Sequence, residues 1–216
     1  AASEAVVLGN GLALVKDHNL DHADLPGVEN ATDYSAQLRQ AEDKSTLPVG
    51  RNVVVIGGGM TAIDIAVQSK RLGAEKVDLV YRRGPEDMSA SDFEQHLAQI
   101  SGVAVHHWLH PKALLGDDHV TAVEFDKNGQ SVRMEADVVF KAIGQRLADQ
   151  QLADEFKGIN IEYGKIVVDG DQATTLPGVW AGGDCVAGGE DLTVSAVQHG
   201  KVAAHAIDRY LGGANG

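Results

Sequence analysis

The sequence is poor in sulfur and in long apolar segments. Among its 216 residues is a single cysteine, Cys185, which excludes a disulfide framework, a CxxC redox pair and a cysteine-ligated iron–sulfur cluster within this chain. It contains no apolar run of about 18 residues and no recognisable signal peptide. We therefore expect a soluble, cytoplasmic protein with no membrane partner.

Basic residues are also scarce. The 18 lysines and arginines stand against 31 acidic residues, which gives a formal net charge of −13. This balance disfavours nucleic acid and anionic membranes as partners, because both are negatively charged. A hydrophobic content of 44% can supply the core of one large or two small domains, and the 25 glycines indicate loops that approach a ligand closely.

The most informative segment is residues 52–67, where β-branched residues meet three glycines and continue as a helical pattern. The order predicts a buried strand, a tight turn and a helix, with Gly-x-Gly-x-x-Ala on the turn. Gly57 would allow the turn, Gly59 would admit a pyrophosphate, and Ala62 would let the helix pack on its strand. Free N–H groups at the helix N-terminus would bind the phosphates, although a glycine turn in another α/β unit is the alternative. The predicted loop residues are Gly57, Gly58, Gly59, Met60, Thr61 and Ala62.

The tip of the next predicted strand, residues 76–81, indicates which dinucleotide binds. NAD-binding sites place an acidic residue there for the ribose 2′-hydroxyl, whereas this sequence has Arg82 and Arg83. Two guanidinium groups can bind a 2′-phosphate through paired hydrogen bonds. The pattern favours NADP(H), and NAD(H) stays open if the arginines are ordinary surface charges.

The N-terminal segment predicts an incomplete domain. Residues 5–8 indicate a buried strand with no earlier segment to pair with, so we expect the chain to begin in the middle of a domain. Residues 12–33 indicate an irregular connection, and residues 34–44 a helix with Asp33 as its N-cap.

The second half of the chain contains clearer signals. Residues 103–109 predict a strand that Pro111 ends, and Asn128-Gly129 predicts a tight hairpin between two alternating segments. Residues 193–211 predict a final helix whose apolar face includes Val194 and Val197.

A second group of candidate residues lies between a predicted strand at 178–181 and that final helix. The strand ends in two glycines and Asp184, whose carboxylate can accept a hydrogen bond from a sugar or polyol hydroxyl. The helix N-terminus at Thr193 and Val194 can stabilise negative charge, such as that of a reduced flavin. On these residues alone, a Gly-Asp turn that caps a core helix is the alternative.

Together these motifs resemble those of two-dinucleotide-binding flavoproteins. Within that class the chain is most similar, over about residues 5–211, to the group of the glutamate synthase small subunit and the NAD(P)H-oxidising part of dihydropyrimidine dehydrogenase. The segment from Asp87 to Glu94 resembles that group as well. The other matching segments are Gly-Gly-Gly-Met-Thr-Ala-Ile-Asp (57–64), Tyr-Arg-Arg (81–83), Ala-Ile-Gly (142–144), Ala-Gly-Gly-Asp (181–184) and Thr-Val-x-Ala-Val-x-x-Gly-Lys (193–201).

The resemblance implies an α/β fold, in which a Rossmann-like three-layer nicotinamide-binding domain is inserted in a partial FAD-binding domain. Residues 1–45 and 146–216 would be the flavin-domain pieces, and residues 46–145 the NAD(P)H-binding domain. The group's cysteine-rich N-terminal domain and first FAD-binding glycine motif are absent, so the chain is similar to a C-terminal portion. We therefore expect it to bind NADP(H) and to hold FAD weakly or not at all.

The resemblance also implies a function. In that group a hydride passes from NAD(P)H to FAD, and electrons continue to a partner subunit or domain with iron–sulfur clusters and FMN. No catalytic acid or base and no metal ligand is implied, because hydride transfer between stacked rings needs mainly positioning. The residues carried over are loop residues 57–62, Arg82 and Arg83 for NADP(H), Ala142, Gly144 and Glu94 near the nicotinamide, and Gly183, Asp184, Thr193 and Val194 for FAD.

Two other functions stay open. A redox-inactive NADP(H)-binding module is favoured by the missing FAD motif, and a thioredoxin-reductase-like enzyme is disfavoured by the single cysteine. A metal site at His106 and His107 is disfavoured, because adjacent residues of a strand point to opposite faces. We expect Cys185 to be a buried neighbour of the flavin, and Trp108 and Trp180 to be packing residues.

Overall fold

In a computed structural model, residues 3–12, 14–15 and 20–213 are described, and they divide into two compact units. The outer unit comprises the described part of residues 1–15 and 145–216, and the inner unit that of residues 16–144. The helices are α1 Ala31–Gln40, α2 Met60–Leu72, α3 Asp92–Ile100, α4 Asp149–Glu155 and α5 Thr193–Gly213. The strands are β1 Val6–Leu8, β2 Leu14–Val15, β3 Val28–Asn30, β4 Asn52–Ile56, β5 Lys76–Val80, β6 Ala104–His106, β7 His110–Leu115, β8 Ala122–Lys127, β9 Gln130–Glu135, β10 Val138–Lys141, β11 Gln145–Arg146, β12 Ile161–Glu162, β13 Lys165–Ile166 and β14 Val179–Ala181.

The inner unit is built on a five-stranded parallel sheet in the order β3-β10-β4-β5-β6. Its central strand, β4, is buried on both faces, as a continuous run of β-branched residues requires. Because side chains alternate along a strand, Val53 and Val55 pack with the helices, whereas Val54 and Ile56 pack with the antiparallel sheet β7-β8-β9. Helices, parallel sheet and antiparallel sheet form three layers, which confirms the predicted fold class.

Helices α2 and α3 have the end signals that their sequences predict. Ala62 and Ala66 are fully buried in the helix-side core, so α2 packs close to the sheet. Gly73 ends α2 in the left-handed region, with a φ of 110°. At the start of α3, Ser91 and Glu94 form a reciprocal capping box.

The first domain boundary differs from the one placed at residue 45. Strand β3 pairs in parallel with β10, so residues 28–30 belong to the inner sheet and are not an irregular connection. Tyr34 and Leu38 of α1 are buried in the same core. Helix α1 also begins earlier than predicted, with Asn30 and not Asp33 at the N-cap. A strand of three residues is too short to give a periodic signal.

Of two predictions about the antiparallel sheet, one was wrong and one is confirmed. Pro111 does not end a strand; it lies inside β7, where the register shifts between Pro111 and Ala113. Because β7 is an edge strand, the missing N–H of proline is tolerated there. The Asn128-Gly129 hairpin is confirmed, with φ values of 54° and 84° as a two-residue turn requires.

The outer unit contains short strands and the helices α4 and α5. Strand β1 pairs in parallel with β14, β2 with β11 and β12 with β13 antiparallel. Helix α5 buries Ala203 and Ala206 beside Trp180. The prediction that the apolar face of α5 includes Val194 and Val197 was wrong, since these side chains are 73% and 60% exposed. No helix within residues 3–12, 14–15 and 20–213 is both long and apolar enough to cross a membrane.

The inner sheet contains one buried carboxylate, Asp78 on β5. His106 Nε2 donates a hydrogen bond to it at 2.8 Å, and Lys76 Nζ lies 2.8 Å from its other oxygen. Burial alone would raise the pKa of Asp78, but the hydrogen bonds from His106 and Lys76 outweigh burial and lower it. Because its pKa is lower in the folded state, Asp78 stabilises the fold at pH values above its ordinary pKa. That stability is lost as the pH falls through the folded-state pKa.

We expect Asp78→Asn to lower the free energy of unfolding at pH 7 by about 1–3 kcal/mol, because charge-assisted hydrogen bonds are lost. The loss should shrink as the pH falls below about 4, where the carboxylate of the unfolded chain begins to protonate, and vanish below the lower pKa of the folded state. Urea unfolding at several pH values measures both effects. The control is Asp118→Asn, at an exposed aspartate. A constant difference between wild type and Asp78→Asn across this pH range would contradict the assignment.

Candidate functional site

The glycine loop lies at the carboxyl end of β4, in the middle of the inner sheet. Gly57 approaches β10 so closely that a Cβ would overlap the carbonyl of Ala142. A Cβ on Gly58 would lie 2.5 Å from the ring of Tyr81. The first two glycines are therefore required by packing within the protein, in addition to the turn that the sequence predicts.

The third glycine and the N-terminus of α2 leave room for an anion. A Cβ on Gly59 would have only the Ser89 Oγ near it, at 3.1 Å. The N–H of Ala62 bonds to the Gly59 carbonyl, whereas those of Met60 and Thr61 have no acceptor in the part of the chain that the structure describes. The first turn of α2 has neither an acidic residue nor a side-chain cap. Free N–H groups of this kind at a helix N-terminus can bind an anion such as a phosphate.

The guanidinium groups of the two arginines differ in their contacts with neighbouring residues. Both follow β5, the neighbour of β4, and both are exposed. Arg83 lies 3.9 Å from a carboxylate oxygen of Asp87, and its guanidinium lies 5.8 Å from the centroid of the Tyr81 ring. Arg82 has no ion pair among the described residues. Arg82 is therefore the guanidinium more available to a phosphate.

Tyr81 and Ala90 brace the loop, and the sequence analysis missed both. The Tyr81 ring packs on Gly58, and its hydroxyl donates to the Asp87 carbonyl at 2.8 Å. The Ala90 N–H donates to the Gly58 carbonyl at 3.2 Å. The segment after the arginines thus fixes the glycine loop. An aromatic residue directly before an arginine pair was the available signal.

The residues predicted near the nicotinamide are only partly brought together. Ala142 lies beside Gly57, and its N–H donates to Ile56 at 2.8 Å. Gly144 is exposed, with a φ of 92°, at the end of the inner unit. Glu94 Oε2 accepts hydrogen bonds from the Ser91 N–H and hydroxyl, so this carboxylate holds the start of α3. Their contacts with a nucleotide stay predictions.

The outer unit places Gly183 and Asp184 directly after β14. Gly183 has a φ of 92°, and its N–H donates to His199 Nδ1 at 3.1 Å. A Cβ on Gly11, in the loop after β1, would stand 3.3 Å from Asp184 Oδ1, and Lys165 donates to the Asp184 carbonyl. The loops after two paired parallel strands therefore meet at this carboxylate. Gly11, Lys165 and His199 were not predicted, although Gly9-x-Gly11 after a short strand was a usable signal.

The start of α5 is accessible, as its predicted role requires. Thr193 and Val194 are exposed, and the first turn has no acidic residue. Just before the helix, Glu190 accepts a hydrogen bond from Ser195 at 2.7 Å. A contact between this N-terminus and a flavin stays a prediction.

Cys185 is fully buried, and its thiol donates to the Gly182 carbonyl at 3.2 Å. Burial raises the pKa of the Cys185 thiol, which disfavours the reactive thiolate. We expect Cys185 to react with dithiobis(nitrobenzoate) about 100-fold more slowly in the native protein than after denaturation. The release of nitrothiobenzoate over time measures this ratio, and equal rates would contradict the assigned burial.

The predictions for the histidines and the two tryptophans have different outcomes. His106 is bound to Asp78, and no group of three or more His, Cys, Asp or Glu side chains within the described ranges could hold a metal ion. Trp180 is 4% exposed and packs as predicted. Trp108, which was also predicted to be a packing residue, is instead 51% exposed, so half of its side chain is not packed.

Comparison with known proteins supports the resemblance found in the motifs. A family model described as "Pyridine nucleotide-disulphide oxidoreductase" matches residues 2–200. The chain is 34% identical over 206 residues to the NAD-dependent dihydropyrimidine dehydrogenase subunit PreT of Escherichia coli O157:H7, covering 95% of this chain and 46% of that protein. It is 33% identical over 240 residues to the glutamate synthase [NADPH] small chain of Halomonas elongata, covering 96% and 50%. The chain thus spans about half the length of these curated relatives.

A solved structure shows a similar fold. Thioredoxin reductase of T. acidophilum superposes with a TM-score of 0.79 at 23% identity, covering 93% of this chain and 63% of that one. At this identity the likeness concerns the fold alone.

Proposed function

Because this chain belongs to the pyridine nucleotide-disulphide oxidoreductase family, we propose that its inner unit binds NADPH and its outer unit forms part of an FAD site. The observation that carries the proposal is the presence of two candidate anion sites after neighbouring strands, the open N-terminus of α2 and the guanidinium of Arg82, which has no ion pair among the described residues. NADPH carries a pyrophosphate and a ribose 2′-phosphate, so it matches both.

Each phosphate has a defined set of partners under this proposal. The pyrophosphate would accept from the N–H groups of Met60 and Thr61, above the bare Cα of Gly59. The 2′-phosphate would accept paired hydrogen bonds from Arg82, with Arg83 as a second cation. A charge-assisted hydrogen bond contributes about 1.5–3 kcal/mol, so these few contacts can account for micromolar affinity.

The outer unit would hold the flavin. Asp184 would accept a hydrogen bond from a hydroxyl of the cofactor's sugar or polyol chain, and the α5 N-terminus would stabilise negative charge on its ring. When both cofactors are bound, NADPH supplies a hydride and FAD accepts it. This chain's residues need only position the rings, so we assign no acid or base.

We further propose that the electrons leave toward a catalytic partner subunit or domain that carries iron–sulfur clusters and FMN. Both curated relatives are named as parts of larger enzymes, a "subunit" and a "small chain". Their names also differ in the nucleotide, NAD for one and NADPH for the other. The arginine pair after β5 is what favours NADPH for this chain.

A diaphorase assay tests the electron transfer. The chain, incubated with FAD at increasing concentrations, is expected to catalyse NADPH-dependent ferricyanide reduction that requires FAD, and Gly59→Ala should raise the KM for NADPH by about 100-fold. Absence of any FAD-dependent NADPH oxidation at saturating FAD would contradict the transfer step. If NADPH binding were retained in that case, the chain would be a binding module without activity.

A further inference from the structure

Trp108 is held on the surface in an unfavourable backbone conformation. It is 51% exposed, whereas its neighbour Leu109 is only 3% exposed. Its φ is 57°, in the left-handed region that aromatic residues rarely adopt. Such conformations persist where the surrounding structure fixes them, and they cluster at functional sites. The exposed indole therefore calls for an explanation other than packing.

The position of Trp108 links it to the arginine pair. Strands β5 and β6 are parallel neighbours, so Arg82 and Trp108 leave the sheet at the same edge, each two residues past its strand. The Trp108 N–H donates to the Arg83 carbonyl at 3.3 Å. The Leu109 N–H donates to the Tyr81 carbonyl at 3.2 Å. These two hydrogen bonds fix the backbone of Trp108 to the segment that carries Arg82 and Arg83.

His107 packs against the indole in a T-shaped arrangement. The two ring centroids are 5.7 Å apart, and the ring planes are inclined by 62°. His107 Nε2 is buried, and it has no hydrogen-bond partner within the described residues. A T-shaped contact covers at most one flat face of the indole, and Trp108 is half exposed, so at least one face is left for a second ring.

We propose that Trp108 is the stacking platform for the adenine of NADPH, an inference that rests on the proposed function and extends it from the phosphates to the base. In NADPH the adenine and the 2′-phosphate are attached to the same ribose. A protein that binds this 2′-phosphate at Arg82 must therefore place the purine within a few ångströms of it. Trp108 is an exposed aromatic residue whose backbone is hydrogen-bonded to the segment that carries the arginines, and purines stack on aromatic faces.

Titration with adenosine 2′,5′-bisphosphate tests this role without the nicotinamide or FAD. We expect Trp108→Ala to raise the Kd by about tenfold or more, and Trp108→Phe by no more than about threefold, since a smaller ring still stacks. Phe93→Ala is the matched control, because Phe93 is 75% exposed on α3 of the same unit. It should leave the Kd unchanged.

Trp108→Gly separates binding from structure. Glycine adopts a φ of 57° without strain, so the thermal midpoint should hold or rise while the affinity falls as in Trp108→Ala. An unchanged Kd in Trp108→Ala, with wild type binding the bisphosphate, would overturn the platform alone. Failure of wild type to bind the bisphosphate would overturn the proposed NADPH site and the platform together.

Discussion

Replacing Arg82 with alanine is expected to weaken NADPH binding by about 10- to 100-fold and to change NADH binding by no more than about threefold. The reason is that Arg82 has no ion pair among the described residues, so its guanidinium would be fully available to the 2′-phosphate, which NADH lacks. Arg83→Ala should have the smaller effect, because Arg83 is shared with Asp87 and the Tyr81 ring. Isothermal titration with each nucleotide measures both constants.

Two further variants separate charge from geometry in this experiment. Arg82→Lys keeps the charge without the planar fork, and it should recover only part of the NADPH affinity. Arg133→Ala removes an exposed arginine from β9, away from the loop, and it should leave both nucleotides unaffected. An equal loss of NADPH and NADH affinity in Arg82→Ala would show that Arg82 does not read the 2′-phosphate.

Gly59→Ala is expected to lose nucleotide affinity and keep its stability, whereas Gly57→Ala is expected to lose stability. Gly59 has a φ of −99° and only the Ser89 hydroxyl near its absent Cβ, so alanine should fold there with stability within about 1 kcal/mol of wild type. The added methyl would nevertheless occupy the position of the pyrophosphate. We expect about 100-fold weaker binding of NADPH and of NADH alike.

At Gly57 the same change acts on the fold. Its Cβ would overlap the Ala142 carbonyl, and backbone must shift to relieve that contact. We expect a loss of about 3 kcal/mol in the free energy of unfolding, measured by urea denaturation. Should Gly59→Ala bind both nucleotides as wild type does, the pyrophosphate does not lie over that glycine.

The parts of the fold that the sequence could predict are those with strong local signals. The run from Val53 to Ile56, the left-handed glycine at Gly73 and the Asn128-Gly129 hairpin each have one preferred conformation, and the structure confirms all three. Strand β3 has only three residues, and its place beside β10 is set by long-range pairing that no local pattern encodes. The prediction that Pro111 ends a strand was wrong because proline destabilises a central strand but is tolerated in an edge strand such as β7.

In the candidate site, too, the features that form local motifs were predicted, and those that depend on contacts across strands were not. The glycine loop and the arginine pair form continuous motifs, and they lie at the ends of neighbouring strands as predicted. The bracing by Tyr81 and the exposure of Trp108 depend on which residues adjoin across strands, which spacing does not reveal. Glu94 looked available in the sequence, but its carboxylate closes a helix cap.

We propose that the inner unit binds NADPH and selects it through the 2′-phosphate. Isothermal titration of the wild-type chain with NADPH and, separately, NADH tests it most directly. We predict one NADPH per chain with a micromolar Kd, and NADH weaker by about tenfold or more. Equal affinity for the two nucleotides, or no binding of NADPH at millimolar concentration, would contradict the account.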